Sequence, residues 1–477
     1  MAAGRERGPF VPPSRPARPA IGWSDLAGAR VGLWGIRMEG LANLRRLREM
    51  GVEPVLVDDH PDVAGVGGLV VLDGSAGGLD ALGECEVVVK SPGISRHGAE
   101  VQHLVDEGVA VAGGLGLWLA DADRARVACL TGTKGKSTTS AIAGHLAGRL
   151  GARCLVAGNI GVPPWDPGVP DDWDWWVVET SSFQATDVAA SPPVVAVTSL
   201  GPDHLDWHGD VETYYRDKLS LCSQPGATLT VADGTSEPLR ARADLLGPTV
   251  RWVTDGDDAL DGPWVDGLGL AGRHNRRNAL IARACLQALG VPGALDDDRL
   301  AAAATGFAPL EHRFCHLGTV EDVEFVDDGL STNVLPTCAA LDALSARPVG
   351  LLVGGQDRGI DYGPIAAVLQ RRTSPTFVAT MPEAGRRIHA AIDAAVAGAG
   401  LSGGREGGAR GAAHCGPDVE DFADLATAVQ AAFAWARGRG GVVLLSPAAP
   451  SFGQFRDYRA RGEAFADAMR ACARTAG

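Results

Sequence analysis

The stretch Ala128-Cys129-Leu130-Thr131-Gly132-Thr133-Lys134-Gly135-Lys136-Ser137-Thr138-Thr139 constrains this chain more than any other. A short apolar run over 127–130 reads as a buried strand. Gly132 and Gly135 permit a tight turn whose backbone N–H groups aim inward. Lys136, Ser137 and Thr138 then open a helix expected to run to about residue 150. Such a helix start favours anions, because its N–H groups are unpaired and its dipole is positive there. The full phosphate-loop pattern is not met, since Leu130 stands where its first glycine belongs. An ordinary strand-to-helix turn is the competing reading. Strand, glycines, lysine, hydroxyls and helix nevertheless fall in the order that holds a nucleoside triphosphate.

A chain of 477 residues exceeds one core, and two or three domains are expected. The net charge of −15 argues against general nucleic-acid binding; any anionic ligand must be held by local Lys, Arg and helix N-termini. Nine cysteines lie scattered without a CxxC pair, which fits reduced cytosolic thiols and not a disulfide or zinc framework. No apolar run approaches the roughly 18 residues of a membrane span. Pro12, Pro13, Pro16 and Pro19 stand among arginines, without the apolar segment of a secretory signal. Residues 1–26 are expected to form a disordered extension, with a wrongly chosen upstream start codon as the other reading of the first twenty. A cytoplasmic monomer is expected, with neither nucleic-acid nor membrane partners.

Ahead of the phosphate loop, a strand over 29–33 runs into Gly35-Ile36-Arg37-Met38-Glu39-Gly40 and a helix rich in Leu and Arg. A second strand over 55–57 ends at Asp58 and Asp59, the spacing of a dinucleotide-type βαβ unit with an acidic residue for a ribose. Arg37 replaces the middle glycine, so a plain α/β turn fits equally. A strand over 87–89 ends in Lys90-Ser91-Pro92-Gly93, a polar turn where ligands of open α/β sheets gather.

After the loop, Asn159 sits in a glycine-flanked turn, and a strand over 175–178 ends at Glu179, followed by Thr180-Ser181-Ser182-Phe183-Gln184. A carboxylate at a strand tip beside a phosphate loop suits Mg²⁺, which prefers hard oxygen donors. A further strand over 194–199 leads to Asp203-His204-Leu205-Asp206-Trp207-His208, too dense in His and Asp to dismiss as structural. Lys218 shares a helix with Tyr214 and Tyr215. Asn275 and Asn278 share one face of an alanine-rich helix and suit either a base edge or a helix cap. From about residue 310, His312-Arg313, Asp328-Gly329-Leu330-Ser331-Thr332-Asn333 and strands near 351–355 and 442–445 imply another open, largely parallel sheet. Residues 398–411 are expected to be a flexible glycine-rich loop.

In their order these motifs resemble the Mur ligases, ATP-dependent amino-acid ligases of peptidoglycan precursor synthesis, from about residue 31 to 465. Within that family, 179–184 and Leu445-Ser446-Pro447-Ala448 are most similar to members that add glutamate to UDP-N-acetylmuramoyl-L-alanine. The resemblance implies an α/β protein of three domains: a Rossmann-like UDP-substrate domain (27–125), a central P-loop ATPase domain with a parallel sheet (126–309), and a C-terminal Rossmann-like domain that closes over glutamate (310–477). It implies attack of the muramoyl-alanine carboxylate on the γ-phosphate of ATP, then displacement of phosphate by the glutamate amine. Gly132, Thr133, Lys134, Gly135, Lys136, Ser137 and Thr138 would bind ATP with Asn278, Arg313 and Asp328. Ser137, Glu179, His204 and Lys218, the last carbamylated by CO₂, would hold Mg²⁺. Lys136, Glu179, His204 and Lys218 would be catalytic, and Asn159, Ser181 and Gln184 would face the muramoyl-alanine part. Thr332, Arg358, Ser451 and Tyr458 would bind glutamate.

Departures from the D-glutamate-adding pattern point to a sister branch. Leu330 and Arg358 stand where lysines are usual, Tyr458 where Phe is usual, and Lys134 where Asn is usual. Lys and Arg differ in reach and fork geometry, so the carboxylates cannot be held identically. The branch that these motifs match adds L-glutamate, which a separate epimerising enzyme then inverts. D-glutamate addition, a folylpolyglutamate-type ligase and a non-catalytic nucleotide-binding regulator are the alternatives. The folylpolyglutamate pattern has Gly-Ser after the loop lysine, against Ser137-Thr138 here, and a regulator could dispense with Lys136, Glu179 and His204.

Overall fold

The computed structural model describes residues 20–60, 69–270, 272–308, 310–357, 359–401, 417–451 and 453–476. The expected extension as far as residue 19, Arg358 and most of the expected 398–411 loop lie outside the described residues. Residues 20–26 correct the expectation of disorder. Trp23–Leu26 forms a short 3-10 turn with Trp23 and Leu26 buried, and Trp23 lies 6.5 Å from the Trp165 ring. Two large apolar side chains are enough to fold this segment back onto the core. At the other expected loop, helix Ala384–Leu401 carries regular structure past residue 398.

The described strands form three sheets. The first comprises β1 (Val31–Trp34), β2 (Val55–Asp58), β3 (Leu72–Asp73), β4 (Val87–Lys90) and β5 (Ala110–Ala112), all parallel in the order β3-β2-β1-β4-β5. The second comprises β6 (Val127–Thr131), β7 (Cys154–Gly158), β8 (Trp175–Glu179), β9 (Val194–Val197), β10 (Leu229–Asp233) and β11 (Val250–Val253). It is also parallel, in the order β11-β10-β9-β6-β8-β7. The third comprises β12 (Cys315–Val320), β13 (Val323–Asp327), β14 (Val349–Gly354), β15 (Thr376–Met381), β16 (Asp418–Asp421) and β17 (Val442–Leu445), in the order β12-β13-β17-β14-β15-β16. Its β12–β13 pair is an antiparallel hairpin, a feature the sequence reading did not foresee.

Helices cover both faces of these sheets, so the inner strands read as unbroken apolar runs. In β6, Val127 and Cys129 pack into one core while Ala128 and Leu130 pack into another on the opposite face. The third sheet is likewise sealed by two cores, with Leu351 and Leu444 on one side and Leu352 and Leu445 on the other. This burial fixes register, because a slip by one residue would exchange the two faces. The strand C-termini thereby present their polar turns at fixed points. Among the described residues no helix is long and apolar enough to cross a membrane.

Candidate active site

Between β6 and helix Lys136–Arg149 the backbone turns through Gly132 at φ 136° and Gly135 at φ 89°. A Cβ on Gly132 would stand 2.3 Å from Thr198 Oγ1, and one on Gly135 would stand 2.8 Å from Asn278 Oδ1. Only glycine satisfies both the conformation and the space. The loop is fastened from β9's end: Thr198 Oγ1 and Ser199 Oγ donate to the Lys134 carbonyl at 2.5 and 2.9 Å. Thr133 Oγ1 donates to the Gly201 carbonyl at 2.9 Å and lies 3.0 Å from the Tyr214 hydroxyl. Lys134 pairs with Asp203 at 3.3 Å. Burial would raise the Asp203 carboxyl, but Lys134, His204 and Lys218 together hold it below its ordinary value.

Lys136 Nζ donates to the Gly132 carbonyl at 2.8 Å, folded back over its own loop, while Thr138 is half-buried on the first helical turn. Burial lowers the Lys136 ammonium, against the pull of Glu179. Lys218 Nζ reaches the same Gly132 carbonyl at 3.1 Å and lies 5.0 Å from the Tyr214 ring centre. At 2% exposure, Lys218 is pushed well below the usual lysine range, first by burial and then by Lys136. A lysine held so is readily neutral, the form in which an amine is a nucleophile. Among the described residues, two lysines from distant segments therefore meet on one carbonyl.

Glu179 closes β8 and is 2% exposed. Its Oε1 accepts from Asn159 Nδ2 at 2.8 Å, whereas its Oε2 is buried without a hydrogen-bond partner. An orphaned carboxylate oxygen is costly unless a cation satisfies it. Together with the Ser137 hydroxyl on the adjacent turn it makes a hard-oxygen donor set that fits Mg²⁺. His204 adopts a left-handed conformation at φ 50°, 4.9 Å from the Phe183 ring, and its Nε2 lies 3.8 Å from Asp203. Ser181 caps the short helix Ser182–Ala185. Gln184 Oε1 accepts from the Ser181 backbone and hydroxyl, and Gln184 Nε2 donates to Glu39 at 3.1 Å. Burial pushes the Glu39 carboxyl up to about 7.

The third sheet region meets this loop directly. Arg313 Nη2 donates to Ser137 Oγ at 3.0 Å, and its Nε is buried without a partner, which favours an anion nearby. Asn333 Nδ2 donates to the Pro202 carbonyl at 3.4 Å. Asp328 is buried and accepts from the Ser331 and Ser446 hydroxyls, and burial raises its carboxyl to about 7 despite them. A cavity of about 720 Å³ lies between the regions, lined by Asp203, His204, Asn333, Leu335, Gln356 and Asp361 among others.

Arg461 is 2% exposed and donates to the Gly329 carbonyl at 2.8 Å and the Ala449 carbonyl at 3.0 Å. One guanidinium thus ties the turn bearing Thr332 to the loop bearing Ser451. Tyr458 packs edge-on against His312, 5.8 Å away. Asn278, expected at a base edge, donates to Asn275 at 3.3 Å and lies against Gly135.

Not every polar residue singled out in the sequence faces this cleft. Asp58 and Asp59, at the end of β2 in the first sheet, accept from the Ile36 N–H at 2.7 Å and Trp34 Nε1 at 3.2 Å and brace their own turn. Thr198, Ser199 and Arg461 escaped the sequence reading. The first two carry no signal beyond hydroxyls at a strand end. Arg461 looks like any exposed helical arginine until the helix is seen to bury it.

Comparison with known proteins agrees with this arrangement. The Mur ligase middle domain matches residues 130–246. The UDP-N-acetylmuramoyl-L-alanine--L-glutamate ligase of Xanthomonas euvesicatoria pv. vesicatoria is 38% identical over 93% of this chain and 95% of its own length. The protein of the same name from Micromonospora sp. is 38% identical over 94% of this chain and 98% of its own length. In fold, MurF from Acinetobacter baumannii is similar with a TM-score of 0.56 at 17% identity, over 80% of this chain and 90% of that one. MurC from Thermotoga maritima is similar with a TM-score of 0.53 at 17% identity, over 93% and 99%. With three α/β sheet regions, a glycine-lined strand-to-helix loop beside a buried carboxylate, and relatives of this likeness along nearly its whole length, the chain belongs to the Mur ligases, the ATP-dependent amide-forming ligases.

Proposed function

We propose that this ligase joins L-glutamate to UDP-N-acetylmuramoyl-L-alanine through an acyl phosphate formed with ATP. The observation that carries the reading is the meeting of Lys136, Lys218 and the half-satisfied Glu179 around one glycine-lined loop, beside a cavity that reaches the third sheet region. The L-form is supported by the names of the full-length relatives and by Leu330 and Arg358 in place of lysines. Residues 27–125 would take the UDP moiety, 126–309 the ATP, and 310–477 the glutamate.

In the first step a carboxylate oxygen of the muramoyl-alanine attacks the γ-phosphorus, and the bond to the ADP oxygen breaks. Such transfer needs positioning and charge neutralisation more than covalent help. Lys136 leaves the Gly132 carbonyl and meets the γ-phosphate oxygens, while Gly132, Thr133, Lys134, Gly135 and Thr138 cradle the phosphates. Asn278 takes the base, and Arg313 and Asp328 hold the nucleotide from the third region. Asn159, Ser181 and Gln184 face the muramoyl-alanine end. Ser137, Glu179, His204 and Lys218, the lysine as its CO₂ carbamate, would hold Mg²⁺, which supplies Lewis-acid charge neutralisation when bound.

In the second step the glutamate amine adds to the acyl carbon; phosphate leaves with the acyl–oxygen electron pair, and the amine loses a proton. Thr332, Arg358, Ser451 and Tyr458 aim the amine by holding the glutamate carboxylates, and the second step depends on that proximity and orientation. A separate epimerising enzyme would then act on the product. The test offers UDP-N-acetylmuramoyl-L-alanine, ATP and each glutamate enantiomer separately and follows phosphate release. L-glutamate should give the higher kcat/KM. A preference for D-glutamate would overturn the stereochemical assignment alone, and no release with either would overturn the ligase substrate.

A further inference from the structure

The dense motif 203–208 places His204 beside the phosphate loop but sends His208 the other way, to a cluster that the ligation does not use. His208 Nδ1 lies 2.8 Å from Asp217 Oδ2, and His97 Nε2, from the first sheet region, lies 2.6 Å from the same oxygen. The three donor atoms all fall within 4.8 Å of one another. We propose that His97, His208 and Asp217 form a second metal site, for a borderline divalent transition ion such as Zn²⁺, that staples the first region to the central one.

The donor set decides the class of ion. Two imidazoles with one carboxylate suit Zn²⁺, Co²⁺ or Ni²⁺ and disfavour Mg²⁺, which prefers oxygen. Both rings converge on one carboxylate oxygen, so an ion between them replaces two hydrogen bonds at once. Zinc bonds of about 2.0–2.1 Å in tetrahedral geometry set donors roughly 3.3 Å apart, so each ring must part slightly from Asp217 while the two ring nitrogens, within 4.8 Å of each other, settle about the ion.

The surroundings resemble the outer shell of a metal centre. His208 Nε2 lies 3.0 Å from Ser182 Oγ, a hydroxyl able to accept from the Nε2–H that ligation through Nδ1 requires, once the ion replaces the Nδ1 proton that faces Asp217. The His97 ring packs edge-on to Trp207 at 5.9 Å, and the His208 ring lies 5.6 Å from Phe183, which holds both planes. Trp207 Nε1 in turn donates to the Gly93 carbonyl at 3.0 Å, so the shell itself spans the two regions. His208 and Asp217 are sealed from solvent, whereas the His97 side chain is 28% exposed and leaves an entry for the ion and a fourth, water ligand.

Full-length protein stripped with a chelator, then kept in excess Mg²⁺ to fill the phosphate-loop site, is titrated with Zn²⁺ against a chromophoric competitor. A single tight equivalent is expected, with a rise in Tm that follows Zn²⁺ concentration by mass action. His97→Ala should weaken binding by more than about 100-fold and abolish the Tm rise; Ser182→Ala, which removes only the outer contact, should weaken it by about 10–100-fold. Glu179→Gln should leave it intact. Binding that survives His97→Ala, or that vanishes with Glu179→Gln alone, overturns the proposal, as does no binding by the wild type. Should His97→Ala fail to fold, X-ray absorption of the Co²⁺-loaded wild type decides: two imidazoles per ion support the site, and none refutes it.

Discussion

Lys90 Nζ lies 2.6 Å from Asp187 Oδ2, with both side chains shut off from solvent. Arg96 takes the other oxygen of the same carboxylate at 2.6 Å, so one anion neutralises two buried cations from the first sheet region. Burial lowers the Lys90 ammonium, and Asp187 opposes that shift. Asp187→Asn should therefore cost about 3–5 kcal/mol, because it strands two charges. Lys90→Met should cost less, since Asp187 keeps Arg96. Urea midpoints of the two variants check the order, and equal midpoints would contradict it.

In the proposed mechanism the Lys136 ammonium meets the migrating phosphoryl group, so its removal tests that role. Lys136→Ala is expected to lower kcat by about 100-fold to 1,000-fold or more, with the thermal unfolding midpoint nearly unchanged. Phosphate release from substrate, ATP and glutamate is the measurement. Wild-type turnover would remove this loop from the chemistry.

If Lys218 works as the proposed carbamate, Lys218→Ala should be nearly inactive, and chloride or short-chain carboxylic acids should restore part of the rate by standing in for that anion. A lysine that is only structural predicts no rescue by any anion. Intact mass under CO₂-rich and CO₂-depleted buffers supplies an independent reading. Burial of the amine favours its neutral form, which is the form that captures CO₂.

Asp328 gives the stability curve a definite slope. Its carboxyl is raised from 3.8 to about 7 in the fold, so the folded state binds more protons than the unfolded state between those values. Its contribution to stability is complete below about pH 3.8 and is lost as pH rises to about 7. Wild-type Tm should fall more steeply across this window than that of Asp328→Asn, which cannot titrate. Parallel curves for the two proteins would refute the assignment.

What the sequence disclosed follows from how local each signal is. Turn glycines, apolar strand runs and strand-end polar residues are contiguous, so the strand–turn–helix at 127–149, the placing of Glu179 at a strand end and the parallel sheets were legible. The β12–β13 hairpin was not, because Cys315–Val320 is only partly buried and offers a weak apolar pattern. At Asp58 the sequence leaves two roles open, because spacing alone cannot tell a ribose ligand from a carboxylate that braces its own turn, and in the fold it accepts from the Ile36 N–H. Asp187, Thr198 and Arg461 act on partners far away in sequence, and their roles emerge only when the packed helices and sheets bring those partners within reach. Leu330, read as the loss of a pocket cation, stands on a turn whose backbone N–H bonds the His312 carbonyl at 2.9 Å.

The Arg461 guanidinium makes the Thr332 turn and the Ser451 loop a single mechanical unit. Each loop must deliver a carbonyl to the same buried fork, Gly329 on one side and Ala449 on the other. Lengthening either loop would withdraw an acceptor from an arginine that has no water to turn to. A change of specificity at the proposed glutamate pocket is therefore reached more readily by side-chain exchange on this backbone than by altered loop length, and a grafted loop must bring an acceptor for the arginine with it.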